Sequence, residues 1–201
     1  MSGLWKIIEK TVGTDFPQHL DDTDKCYYAR DYISQGGYQS SETNDLISNF
    51  KKSTDRKNKP EWHYKKIAIE RFATELSLVI RDKMSITCIP SSKCTTDPDY
   101  DFRLEETLLH LKEKKPLINI EYPLKVSQTT LASHLGGSRD ISTIYANLKW
   151  DGFTTPPEKL IILIDDVITS GAHFKACKKK FLEHHPGIEV LGLFWAKTVS
   201  K

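Results

Sequence analysis

The residues best suited to chemistry lie at positions 160–174, in the sequence LIILIDDVITSGAHF. Asp165 and Asp166 directly follow a run of five aliphatic residues, and small or hydroxyl-bearing residues come next: Thr169, Ser170, Gly171 and Ala172. Carboxylates accept hydrogen bonds from sugar hydroxyls or coordinate a divalent cation, and backbone N–H groups at a helix start bind phosphate. The pattern therefore predicts a site for a sugar phosphate. The simpler alternative is that Asp166 or Thr169 caps the helix and the second carboxylate is exposed.

The elements around this segment are predicted to form part of a parallel sheet. Residues 160–164 are fully apolar, as in a strand at the centre of such a sheet, and residues 189–195 predict the next strand. Ligands of open α/β sheets bind at the carboxyl ends of the strands, so the two acids are expected at a ligand-binding edge. The intervening helix is predicted from four apolar residues on one face: Phe174, Cys177, Phe181 and Leu182.

The rest of the chain repeats this alternation. Apolar spacing predicts helices over residues 44–52 and 62–81, a strand over 85–89, a helix through Leu104, Leu108 and Leu111, and a strand over 117–120. Alternating strands and helices predict the α/β class, with a doubly wound parallel sheet over residues 61–201. Residues 1–60 are polar and are predicted to form a separate, hood-like segment. Residues 121–159 are irregular and predict a small lid, with Gly136-Gly137 as its hinge.

Composition excludes several classes of protein. The chain has 201 residues, of which 38% are hydrophobic and 28% charged, as in a globular domain. Its 29 basic and 27 acidic residues leave a net charge of +2, which disfavours a dedicated polyanion binder. The longest aliphatic run is far below the roughly 20 residues of a membrane span, and no export signal is visible. Four scattered cysteines without a C-x-x-C pair predict reduced thiols and a cytoplasmic protein.

Two further groups are candidates for binding an anion. Ser91, Ser92 and Lys93 follow a predicted strand, so backbone N–H groups and one ammonium are available for a diphosphate; the alternative is a polar turn. Arg103 begins the next helix and follows three closely spaced aspartates. It can clamp a diphosphate or pair with those acids. Arg139, beside the glycine pair, is a candidate lid cation or a solvated loop charge.

Aromatic and basic residues suggest weaker alternatives. Trp150, Phe153 and Trp195 are candidates to stack on a base, although buried aromatic residues more often belong to the core. The basic residues within 51–66 are candidates for nucleic-acid contact, but the interspersed acids favour a solvated surface.

The segment LIILIDDVITSGAH resembles the signature of the type I phosphoribosyltransferases. The resemblance implies that Asp165 and Asp166 lie against the 2- and 3-hydroxyls of the ribose in 5-phosphoribosyl-1-diphosphate (PRPP). It also implies that the following loop binds the 5-phosphate, through Thr169, Ser170, Gly171, Ala172 and His173. His173 departs from the family, which usually has a hydroxyl residue at this position.

Looser patterns are similar to the ComF-like branch of that family: NDLISNFKK, CIPSSK, SQTT and FWAKTV. The zinc-binding cysteine cluster found at the front of many ComF proteins is not in this sequence. The resemblance implies an enzyme that transfers a phosphoribosyl group from PRPP to a nitrogen acceptor of unknown identity, with release of diphosphate.

Roles for individual residues follow from the same resemblance. Asp165 and Asp166 would act in catalysis together with Arg103 and Arg139. The two acids would also hold Mg²⁺, directly or through water. The diphosphate loop would be Ser91, Ser92 and Lys93. A homodimer is typical of the family. Two alternatives remain: a non-catalytic sensor of PRPP or a nucleotide, and an accessory protein in DNA uptake or in defence against foreign DNA.

Overall fold

A six-stranded sheet forms the centre of the protein in a computed structural model that describes residues 3–11, 15–130 and 140–201. Only the first neighbouring pair is antiparallel, and all other pairs are parallel. The predicted α/β class with a parallel sheet is therefore confirmed. In spatial order the strands are β1 (Lys6–Ile7), β2 (Lys25–Ile33), β8 (Glu189–Val199), β7 (Leu160–Ile168), β3 (Ser85–Cys88) and β4 (Asn119–Ile120).

Helices cover both faces of this sheet. One face carries α1 (Glu42–Phe50), α2 (Trp62–Ser77) and α3 (Arg103–Lys114). The other carries α5 (Ala172–His184) together with α4 (Ile141–Asn147) and a small antiparallel ribbon, β5 (Leu124–Val126) with β6 (Leu148–Trp150). None of the helices in the described ranges is long and apolar enough to cross a membrane.

Strand β7 separates the two halves of the core. Successive side chains of a strand point to opposite faces. Ile162 and Ile164 accordingly join the core under α1, α2 and α3, while Ile161 and Leu163 join the core under α5. All four are buried, which explains the uninterrupted apolar run in the sequence.

The predicted helices and strands are found, although α2 ends at Ser77 instead of residue 81 and β4 is limited to Asn119–Ile120. Further differences occur at β7 and on α5. β7 does not end before the two acids but continues through them to Ile168, because β8 extends far enough to pair with Val167 and Ile168. The neighbour on its other side, β3, ends opposite Ile164. The acids therefore lie on a strand that protrudes past β3. The prediction that Leu182 lies on the buried face of α5 is wrong, since 41% of this residue is exposed.

The first 60 residues contribute two strands, β1 and β2, to the main sheet. β2 runs parallel to β8, from Lys25 opposite Leu191 to Ile33 opposite Val199. The division predicted at residue 60 therefore does not separate the sheet from the preceding chain.

The described part of residues 121–159 is more regular than the sequence suggests. It contains the β5–β6 ribbon and α4, and Leu124 and Leu148 pack into the core beneath α5. The predicted hinge Gly136-Gly137 and Arg139 lie outside the described residues.

Candidate functional site

A cleft of about 870 Å³ opens at the carboxyl end of the sheet. Three parts of the chain form it: the loop after β3, the end of β7 with the start of α5, and the segment after α1. Every described residue that the sequence predicts for the site lines this cleft: Asp165, Asp166, Thr169, Ser170, Gly171, Ala172, His173, Ser91, Ser92, Lys93 and Arg103. Arg139, the remaining predicted residue, lies outside the described part of the chain.

The two acids of β7 occupy different environments. Asp166 lies on the same side of the strand as Ile164, facing α1 and α3, and is only 3% exposed. Asp165 lies on the opposite side and its Oδ1 accepts a hydrogen bond from the Asp166 N–H at 2.8 Å. Burial, followed by the nearby charge of Asp166, raises the pKa of Asp165 above its ordinary value. This carboxyl group is consequently more easily protonated than a solvated one.

Two cations hold Asp166. Lys51 Nζ lies 2.9 Å from Oδ1, and Arg103 donates to Oδ2 from Nε at 3.1 Å and from Nη2 at 2.9 Å. Burial alone would raise the pKa of Asp166, but the two cations outweigh burial and lower it. Asp166 is therefore ionised at neutral pH, with both of its oxygens engaged.

The ion pairs continue behind Arg103. Its Nη1 donates to Asp101 at 2.9 Å, and the same carboxylate oxygen accepts from Lys65 Nζ at 2.7 Å. The Lys65 side chain is only 2% exposed, and burial lowers its pKa although Asp101 acts in the opposite direction. Of the two roles predicted for Arg103, the structure shows the pairing with acids. Asp166 is thus held in place by a series of ion pairs of alternating charge: Lys51, Asp166, Arg103, Asp101 and Lys65.

The loop between β7 and α5 requires its glycine. Gly171 has a φ of 82°, in the left-handed region, and a Cβ there would lie 3.0 Å from Leu20 Cδ2. The segment before β2 contacts this loop, because the His19 N–H donates a hydrogen bond to the Ser170 carbonyl at 2.9 Å. Gly171 has no side chain that could cap α5, and the Ser170 hydroxyl accepts from the Ala172 N–H at 3.4 Å. The other first-turn N–H groups of a helix have no intrahelical acceptor. This helix start can therefore bind an anion.

His173 does not add a positive charge to this loop. The residue is half-buried and lines the cleft, and burial lowers the pKa of its imidazole below the ordinary value. The ring is thus neutral at neutral pH, and any contact with phosphate from this residue is a neutral hydrogen bond.

The loop after β3 is a structured turn. Ser91 Oγ donates to the Lys93 carbonyl at 3.0 Å and accepts from the Lys93 N–H at 3.2 Å. The Lys93 ammonium pairs with Asp99 at 3.2 Å and with Asp97 at 3.6 Å. The Thr130 N–H donates to the Ser92 carbonyl at 2.8 Å, which connects this loop to the lid segment.

Lys51 is the site residue that the sequence analysis missed. It belongs to the basic segment 51–66, in which three residues form ion pairs: Lys51 with Asp166, Lys65 with Asp101, and Arg56 with Asp55 and Glu61. A signal did exist, because Lys51 directly follows Phe50, the last buried residue of an amphipathic helix.

Of the candidate stacking aromatics, Trp195 belongs to the core, while Trp150 and Phe153 are half-buried and pack against it. Trp195 is fully buried, stacks on Phe72 with ring centroids 4.7 Å apart, and donates from Nε1 to Glu75 at 2.7 Å. Trp150 stacks on His184 at 4.6 Å and contacts Phe153 edge to face. These three predicted residues do not line the cleft.

The acid pair, as arranged here, does not fit a resident Mg²⁺ ion. Mg²⁺ needs oxygen ligands, yet each oxygen of Asp166 is already paired with a cation and Asp165 Oδ1 accepts a backbone N–H. Within the described ranges, no three His, Cys, Asp or Glu residues are grouped as metal ligands. Against the described residues, the acid pair itself keeps one uncommitted carboxylate oxygen, on Asp165.

Comparison with solved structures finds the xanthine-guanine-hypoxanthine phosphoribosyltransferase of Helicobacter pylori, at a TM-score of 0.35 and 8% sequence identity. The match covers 66% of this chain and 82% of the other. Neither the comparison with protein-family models nor the search of curated proteins finds a match. With similarity this low, function has to be inferred from the cleft itself.

Proposed function

We propose that the protein binds PRPP and transfers its phosphoribosyl group to a nitrogen nucleophile, releasing diphosphate. One observation carries this proposal: a single cleft contains two adjacent carboxylates, the start of α5 directly after Gly171, and a second loop with Lys93. These are partners for ribose hydroxyls, a terminal phosphate and a diphosphate, respectively. A ligand that carries all three groups matches the cleft.

Such a transfer requires mainly positioning and charge stabilisation. As diphosphate leaves, the anomeric carbon and ring oxygen become positively charged, and a nearby carboxylate stabilises that charge. The loop after β7 would hold the 5-phosphate while the loop after β3 holds the leaving group, so that the ring is fixed between them. A lid that carries Arg139, as the sequence predicts, would exclude water. A requirement for Mg²⁺ stays a prediction of the resemblance.

A sensor that binds PRPP without turning it over is the second candidate. Arg103 and Lys93 are the described candidate cations for the leaving group, and both are already paired with protein carboxylates. This pairing favours the sensor. A nucleic-acid accessory role is less favoured, because two cations of the basic segment are engaged within the protein: Lys65 is buried against Asp101, and Lys51 is paired with Asp166.

Release of diphosphate separates transferase from sensor. The protein is incubated with PRPP and a panel of purine, pyrimidine and amine acceptors, and diphosphate is followed by a coupled assay. Release that depends on one acceptor class and is lost in Asp165→Asn supports transfer. Binding of PRPP without release above the uncatalysed rate supports the sensor and refutes the transferase.

We expect Gly171→Ala to impair both folding and PRPP binding, whereas Gly187→Ala impairs folding alone. Both glycines have a positive φ, 82° and 87°, so each alanine costs about 1 kcal/mol of backbone strain. A Cβ at position 171 also meets Leu20, while one at position 187 meets nothing within 4 Å. Thermal unfolding and calorimetric titration of PRPP measure the two effects. Equal PRPP affinity in both variants would contradict a phosphate site at Gly171.

A further inference from the structure

Lys51 lies at the end of α1, a helix that packs into the core. It is the C-cap of α1, and its backbone N–H donates to the Ile47 carbonyl at 2.9 Å. Ile47 and Phe50, on the same helix, are 2% and 0% exposed and pack into the core beneath the sheet. The position from which the Lys51 side chain extends is therefore set by core packing.

A second anchor holds the other end of the same helix. Asn44 is 2% exposed, and its amide accepts from the Ile33 N–H at 3.0 Å and donates to the carbonyls of Ile33 at 3.1 Å and Gly36 at 3.0 Å. These bonds join α1 to the carboxyl end of β2. The segment that carries Lys51 is thus attached to the sheet whose edge forms the cleft.

The two cations on Asp166 differ in what they can still offer a ligand. Arg103 uses Nε and Nη2 on Asp166 and Nη1 on Asp101, and its side chain is 19% exposed. The Lys51 side chain is 39% exposed and lines the cleft. An ammonium has three N–H donors, and one of them serves Asp166 Oδ1. Asp166 is the one partner of this ammonium among the described residues, so the remaining donors are available to an anion in the cleft.

We propose that Lys51, supported by Arg103, supplies the positive charge that a divalent cation would supply between the acid pair and an anionic ligand, so that PRPP binds without Mg²⁺. This inference rests on the proposed function. Its structural basis is the pairing of both Asp166 oxygens with side-chain cations, at 2.9 Å to Lys51 and 2.9 Å to Arg103. An ammonium bridging a carboxylate and a phosphate neutralises both groups, as a metal ion would.

Calorimetric titration of PRPP, once with excess EDTA and once with Mg²⁺, tests this inference. For the wild type we expect dissociation constants that agree within about threefold. Lys51→Met is expected to weaken binding in EDTA by about tenfold or more and to recover part of the loss with Mg²⁺. Lys51→Arg keeps the charge and should keep PRPP binding in EDTA. This variant is the control for a general loss of structure on substitution of Lys51.

The neighbouring lysine is the matched control. Lys52 Nζ donates to Asn49 Oδ1 at 3.0 Å, and this residue does not line the cleft. Lys52→Met should therefore bind PRPP like the wild type in both buffers. Wild-type binding that occurs only with Mg²⁺, or equal binding by Lys51→Met and Lys52→Met, overturns the inference and leaves the proposed function in place. No binding in either buffer refutes the proposed function itself, and the inference with it.

Discussion

Asp166→Asn is expected to lower the free energy of unfolding by about 3 kcal/mol, which corresponds to a melting temperature roughly 6–12 °C lower for a chain of this size. The substitution preserves shape but removes the negative charge between Lys51 and Arg103, at 2.9 Å from each. Arg103 is largely buried and would keep only Asp101 as a partner. Thermal unfolding followed by circular dichroism at about pH 8 measures this loss.

Asp165→Asn, the same change one residue earlier, should act in the opposite direction. Burial and the charge of Asp166 raise the pKa of Asp165, so the ionised carboxylate opposes folding. The amide removes this cost, and we expect a gain on the order of 1 kcal/mol at about pH 8. Because the folded-state pKa is raised, the cost is present at high pH and disappears as the carboxyl becomes protonated, so the gain should shrink toward about pH 5.

The two variants together make a sharp comparison. Both are expected to lose PRPP affinity, yet only one of them loses stability. A stabilising substitution that abolishes binding is typical of a residue retained for function rather than for folding. Equal melting temperatures at about pH 8 would contradict the charge arrangement described for the acid pair.

Glu75→Gln is expected to cost about 3 kcal/mol of stability without changing PRPP affinity. Glu75 is buried beneath the sheet, where it pairs with Arg30 and Arg71 and accepts from Trp195 Nε1. Burial would raise its pKa, but Arg30, Trp195 and Arg71 outweigh burial and lower it below 4.5. The ionised group therefore contributes stability above that pH, and its contribution is lost as the pH falls. The wild type and the variant should thus converge in acid.

Glu70→Gln, on the same helix, is the control. Glu70 is 45% exposed and pairs with Lys114 and His110 on the surface. Exposed ion pairs contribute about 1 kcal/mol or less, so this variant should melt close to the wild type. Glu75 does not line the cleft, and a weakened PRPP affinity in Glu75→Gln would show that the core under α2 controls the site.

The loop that carries the site could be predicted from sequence because its signals are local. The run 160–164, the two acids and Gly171 specify a strand, its carboxyl end and a turn into a helix, and the structure places them in this order. Gly171 lies at the turn into the helix, with a positive φ. Such signals depend on neighbouring residues alone, so no knowledge of the tertiary fold is needed.

β2 could not be found in this way, because its charged residues hide the strand pattern. Only Cys26 and Ala29 are buried apolar residues in KCYYARDYI, and Arg30 lies between them and the end of the strand. Arg30 is accommodated by Glu75 of α2, 45 residues away. Sequence periodicity does not report such a distant partner.

The role of Lys51 was missed for the same reason. Its partner, Asp166, is far along the chain and lies on a different element. Within its own neighbourhood Lys51 is one of several basic residues, and the local pattern indicates only a charged surface. The exact length of β7 also depends on a distant element, because the extension of β8 keeps the acids within the sheet.

Calorimetric titration of PRPP into the wild type and into Asp165→Asn tests the central claim most directly. The variant is expected to be at least as stable as the wild type, so a loss of binding cannot be attributed to unfolding. We predict a micromolar dissociation constant for the wild type and binding weaker by about tenfold or more for the variant. Absence of binding to folded wild-type protein, or equal affinity in the two proteins, would contradict a PRPP site at the acid pair of β7.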